Sequence, residues 1–174
     1  MRRLRDLLIV AATLVPLRLA GQNALPTMPP VERTPSHFRF APEASASLRE
    51  IWSRSAAEKR EYVACLGGQI RPDTVLVERV FALEPTRADS LGVSAQTSID
   101  TCGPPLYQGT VHTHIALMYG ERPYERFSGS DRGVMQLWWR RWKQDGMFCV
   151  LYTPRDAYCE VDGSSIMNMG RSDY

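Results

Sequence analysis

The chain has 174 residues, enough for one domain with a real hydrophobic core. Hydrophobic residues make up 44% of it, which excludes a disordered polymer. The formal charge is +2 with both signs mixed along the chain, which excludes a nucleic-acid binder relying on a concentrated basic surface.

The N-terminus reads as an export signal over residues 1–21, or an N-terminal anchor if it is not cleaved. Arg2, Arg3 and Arg5 precede an apolar run, Leu7 to Leu17, that is too short for a comfortable membrane span. No small-x-small cleavage pattern follows. A cut after Ala20 places Arg18 three before it, and a cut after Gly21 places Leu19 there. No cysteine lies nearby, so a lipoprotein anchor is excluded. Export to the periplasm or beyond is the expectation; if this segment is not a signal, the chain stays in the cytoplasm. Membrane contact is expected only through this segment.

Residues 22–44 carry Pro26, Pro29, Pro30, Pro35 and Pro42 and are expected to form a linker, with His37 a solvated side chain within it. A helix is expected from near Ser47, where Ser47 and Glu50 have capping-box spacing and Leu48, Ile51 and Trp52 share a face. EYVACLGGQI, Glu61 to Ile70, reads as a strand ending at a glycine pair. Its leading Glu61 has a bland reading as the polar end of the preceding helix, beside Glu58, Lys59 and Arg60. Thr74 to Leu83 is the clearest strand. Residues 84–108 read as a long polar loop with room for one short helix, placed to overhang a site.

Gly109 to His114 reads as a short strand. Side chains two apart on a strand point to one face, so His112 and His114 can grip one metal ion. They are two of only three histidines in the chain. The loop Met118 to Phe127 holds several aromatic and arginine side chains, to clamp a peptide or to tether the loop. Ser128 is a good N-cap for a helix running to Lys143, and Asp131 in its first turn is placed to give a third ligand. Val134, Leu137, Trp138, Arg141 and Trp142 lie on or near one face, with Trp138 and Trp142 read as packing and Trp139 as the more exposed ring. Met147 to Thr153 and Ala157 to Val161 alternate as a strand pair, and a flexible tail covers residues 164–174.

The four cysteines, Cys65, Cys102, Cys149 and Cys159, suit an oxidising compartment and allow three pairings; a bridge from Cys149 to Cys159 across a hairpin is one of them, and four buried thiols are the alternative. No C-x-x-C occurs, which speaks against a zinc knuckle. The element order predicts an α+β fold, a single curved mixed sheet flanked by helices. Two neutral imidazoles and a carboxylate would give zinc three protein ligands and leave a position for water, the arrangement of a catalytic rather than a structural site.

Glu61, His112-Thr113-His114 and Ser128-Gly129-Ser130-Asp131, in that order, resemble the motif of the JAMM metalloprotease family, also called MPN+ or JAB: a glutamate, then H-x-H, then S-x-x-D. EYVACLGG resembles the family's first strand, and the likeness spans residues 45–163. It implies a JAB/MPN-like, cytidine-deaminase-like fold and one zinc ion held by His112, His114 and Asp131. It further implies Glu61 as general base and acid, Ser128 as oxyanion donor, and hydrolysis of a peptide or isopeptide amide in a peptide or protein substrate. The chain departs from the family in having Ile115 where a proline usually follows the second histidine. It also has thirteen residues between His114 and Ser128, a longer loop than in most members. Two rival expectations stand beside the hydrolase: a catalytically silent binding module of the same fold, and an envelope interaction domain.

Overall fold

In a computed structural model of the chain, the described residues are 37–84, 87–89, 91–118 and 122–162. The expected signal at 1–21, the linker up to residue 36 and the tail 164–174 lie outside them. The strands are β1 (His37–Phe40), β2 (Val63–Ile70), β3 (Thr74–Leu83), β4 (Gly109–Thr113), β5 (Leu117–Met118), β6 (Arg122–Pro123), β7 (Gly146–Leu151) and β8 (Ala157–Asp162). The helices are α1 (Pro42–Glu58), α2 (Gln96–Thr101) and α3 (Gly129–Trp142).

Six strands form one curved, nearly closed mixed sheet in the order β1-β3-β2-β4-β7-β8, and β5 and β6 pair as a separate ribbon. The β1–β3 and β4–β7 pairs are parallel and the others in the sheet are antiparallel. The α+β expectation therefore holds at that level.

Strand alternation divides the core. Ala64, Leu66, Val111, Met147 and Cys149 face α1, which lays Ala44, Leu48 and Ile51 on them. The opposite face carries Val63, Cys65, His112, Phe148 and Val150, covered by α2 and α3. Trp138 of α3 is fully buried edge-on to Phe148, with ring centroids 5.6 Å apart. Its indole N–H donates to the Cys102 carbonyl, and that of Trp142 donates to the Ile99 carbonyl, so α3 leans on α2.

Several boundaries differ from the sequence expectation. Residues 37–44 are not linker: β1 pairs with β3, and α1 opens at Pro42, five residues before Ser47. Proline at the first helical position loses no hydrogen bond and brings a preset φ, so Pro42 starts the helix and Ser47 sits inside it. Strand β2 begins at Val63, and Glu61 lies two residues ahead of it, buried rather than solvated at a helix end. The short helix in the long loop is α2. Leu137, expected on the packing face, is exposed, because the buried face runs through Met135 and Trp138. Trp139 is half-buried, with the Lys143 ammonium 4.9 Å from its ring centre.

Two disulfides close, Cys65–Cys102 and Cys149–Cys159, leaving no free cysteine among the described residues. The second is the cross-hairpin bridge, and the reading as four buried thiols falls. Such bridges persist in an oxidising, non-cytoplasmic setting. No helix among the described residues is long and apolar enough to cross a membrane.

The disulfides span 37 and 10 residues. Loop closure makes the longer one more stabilising by about 1 kcal/mol. Replacing Cys65 and Cys102 together with serine should cost about 4 kcal/mol, and replacing Cys149 and Cys159 about 3 kcal/mol, as read by denaturant unfolding. Gly109 opens β4 where an added Cβ would stand 1.7 Å from the Met147 carbonyl oxygen. Gly109→Ala should therefore destabilise by about 2 kcal/mol or more in the same assay.

Candidate metal centre

Strand β4 delivers the two histidines. His112 lies inside it, and His114 follows its end with its N–H still bonded to the Leu151 carbonyl at 2.8 Å. Both rings point to the α2/α3 side, as the two-residue spacing requires. Their Nε2 atoms approach to 3.0 Å.

Asp131 arrives from the first turn of α3. Ser128 is the N-cap in extended backbone, its Oγ accepts the Asp131 N–H, and the Asp131 carboxylate accepts the Ser128 N–H at 2.6 Å. This capping box fixes the carboxylate, and the helix N-terminus favours its negative charge. Asp131 Oδ1 lies 3.2 Å from His112 Nε2, and Oδ2 lies 3.5 Å from His114 Nε2. Among the described residues these three make the one His/Cys/Asp/Glu cluster with metal-ligand spacing.

A tetrahedral ion with ligand bonds near 2.0–2.1 Å separates its ligand atoms by about 3.3 Å. The imidazole nitrogens at 3.0 Å are near that separation, each nitrogen has a different Asp131 oxygen at 3.2 or 3.5 Å, and one ligand atom from each residue lies within 4.8 Å of the others. His114 also meets the tautomer requirement. Its Nδ1 sits 2.8 Å from the Tyr124 carbonyl, to which it donates, so Nε2 faces the cluster and is the atom that would ligate once deprotonated. All three side chains are 11–18% exposed, so an ion there is reached by water yet sheltered. Two imidazoles and a carboxylate accept zinc and neighbouring divalent transition metals alike.

Electrostatics follow from the crowding. Burial alone would raise the Asp131 carboxyl, but hydrogen bonds from His112 and His114 outweigh it and hold it far below the usual carboxylate range. Burial lowers His114, yet Asp131, the Tyr124 carbonyl and Glu61 leave it raised. Glu61 is pushed up from an ordinary 4.5 to about 7, chiefly by burial, with the Asp131 charge adding to it.

Glu61 joins the cluster through strand register. Val63 pairs with His112, and the Thr113 N–H donates to the Tyr62 carbonyl, which carries the antiparallel register on to Glu61 beside His114. The Glu61 N–H donates to the Asp89 carbonyl at 2.7 Å. Glu61, His112, His114, Ser128 and Asp131 line one cavity of about 1110 Å3, whose walls include Val93, Phe127 and Met135. All five residues singled out in the sequence therefore come together.

Other contributors escaped the sequence reading. The Tyr124 carbonyl orients His114, Asp89 holds the Glu61 backbone, and the Phe127 ring lies 6.3 Å from that of His112. A backbone carbonyl has no sequence signal. Phe127 had one, as the residue just before an N-cap.

No protein-family model matches this chain, and no curated protein matches it either.

In chelator-treated protein the raised Glu61 pKa gives a signed expectation. At low pH the carboxyl is neutral whether folded or not. Between 4.5 and about 7 only the unfolded chain ionises, so stability falls as pH rises through that window. Glu61→Gln removes the effect. Relative to wild type it should be near neutral at about pH 4 and stabilising by up to about 3 kcal/mol above about pH 7. Equal differences at the two pH values would contradict the burial argument.

Proposed function

We propose that this chain is a zinc-dependent metallopeptidase that hydrolyses a peptide or isopeptide amide bond. The observation that carries the reading is the convergence of His112, His114 and Asp131 ligand atoms at 3.0–3.5 Å beside buried Glu61, in one cavity. The ordered likeness of these residues to the JAMM motif supports it, with JAB/MPN-like as the finer fold assignment.

His112, His114 and Asp131 would hold the metal, which would supply Lewis acidity and a more acidic water. Glu61 takes a proton from the water that adds to the amide carbon and returns it to the departing amine nitrogen as the C–N bond breaks. The products are a carboxylic acid and an amine. Ser128 uses its Oγ lone pair to accept the Asp131 N–H, which leaves its hydroxyl hydrogen to donate to the developing oxyanion. Val93, Phe127 and Met135 give part of the cleft an apolar wall against which a substrate side chain can pack. With two disulfides in the fold, the substrate is met after export, in the periplasm or outside the cell, as a peptide or a crosslinked amide.

Purified protein should carry one zinc per chain by elemental analysis, and His112→Ala or Asp131→Asn should lose it. Glu61→Gln should retain the metal and lower hydrolysis of a peptide library at least about 100-fold. Absence of stoichiometric metal ends the metal reading. Metal without any hydrolysis in wild type returns the silent binding module. Metal with undiminished hydrolysis in Glu61→Gln removes the assigned proton relay.

A further inference from the structure

We propose that Arg132 is a positioning residue for the metal centre, acting on Asp131 and His112 through Phe127 and Glu160; this rests on the metal reading above. Arg132 follows Asp131 on α3 and occupies the fourth helical position, and Phe127 stands just before the N-cap Ser128. In a hydrophobic staple these two positions hold apolar partners that fix the angle at which the chain enters the helix. Here the Arg132 guanidinium lies 5.2 Å over the Phe127 ring and takes the apolar partner's place.

The guanidinium is itself held from the sheet. It forks onto both carboxylate oxygens of Glu160 on β8, one N–H···O distance being 2.9 Å, and lies 3.9 Å from Asp162. The Tyr158 hydroxyl also donates to Glu160. Tyr158 meets Phe127 edge-on at 5.5 Å, and the Arg126 guanidinium lies 4.3 Å over the Tyr158 ring. Glu160 pairs with Phe148 across β7–β8, which puts it on the face of the sheet that carries His112. A column therefore runs from Glu160 through Arg132 and Phe127 to the His112 ring. The capping box fixes the first turn of α3 from within, and this column fixes it against the sheet.

Stability alone is a poor reason for the arrangement. The Arg132 and Glu160 side chains are 41% and 21% exposed, and partly exposed ion pairs contribute little to folding. Placement is a better one. A carboxylate ligand and an imidazole brought together from separate elements stay at metal-binding separation only if the helix entry is held, and outer partners of this kind set affinity by about 10–100-fold.

The test is a titration of metal-free full-length protein with Zn2+ and Co2+ against a competing chelator dye, well below melting, with the visible Co2+ spectrum recorded. Arg132→Met keeps the aliphatic stem and removes the fork. It should weaken both metals about 10–100-fold and change the Co2+ ligand-field bands, while Arg132→Lys recovers part of the affinity. Glu160→Gln, a milder change, should move affinity and spectrum in the same direction and decides the matter if Arg132→Met does not fold. Arg54→Met, which removes another ion-paired arginine on α1, should leave both unchanged. Wild type that binds metal alongside Arg132→Met and Glu160→Gln with unaltered affinity and spectrum overturns this proposal alone. Wild type that binds neither metal overturns it together with the metal reading.

Discussion

Two imidazole nitrogens 3.0 Å apart, each with an oxygen of one carboxylate at 3.2 or 3.5 Å, are the constraint on which the site turns. Lone pairs at that distance repel unless a proton or a cation lies among them. The molecule holds them there from two independent directions. Strand parity fixes the histidines, and a capped helix start fixes the aspartate. Neither element bends without losing its own hydrogen bonds, so the crowding is enforced rather than incidental.

The layers behind the site explain how a modest domain keeps such a cluster. Helix α1 fills one face of the sheet with aliphatic side chains, and the His112, His114 and Asp131 cluster lies on the other. On that second face α2 is tied to β2 by the Cys65–Cys102 bridge, and α3 rests on α2 through two indole N–H bonds. A buried polar pair on the α1 side, Ser55 and Thr113 with hydroxyls 2.6 Å apart, steadies the strand between the histidines from behind. The Tyr62 N–H donates to the same Thr113 hydroxyl, linking the approach of Glu61 to the strand of His112 and His114.

Much of this was legible in the residues. The two-residue spacing of the histidines, the Ser128–Asp131 cap and the β-branched run of β3 each state a local rule, and the folded chain obeys all three. The Cys149–Cys159 bridge was one open choice among three pairings, and the register of β7 against β8 makes that choice by setting the two cysteines opposite each other. What stayed hidden depends on contacts distant in sequence. Glu61 reads from its own segment as a helix-end carboxylate and enters the site only through the ordered motif; its burial comes from the β2–β4 register. His37–Phe40 looks like linker because its pairing partner lies far along the chain. Leu137 misled because several apolar residues on α3 let more than one face pass for the inner one, and the sheet decides between them.

The bridge from Cys65 to Cys102 has a consequence for when the centre comes into being. One end sits on the strand that follows Glu61, and the other caps the C-terminus of α2, on which the aspartate-bearing helix rests. Under reducing conditions this tie is absent, so the brace behind the cluster is incomplete. The geometry of the His112, His114 and Asp131 cluster is thus tied to redox conditions, because oxidation completes the frame that holds α2 and, through it, α3.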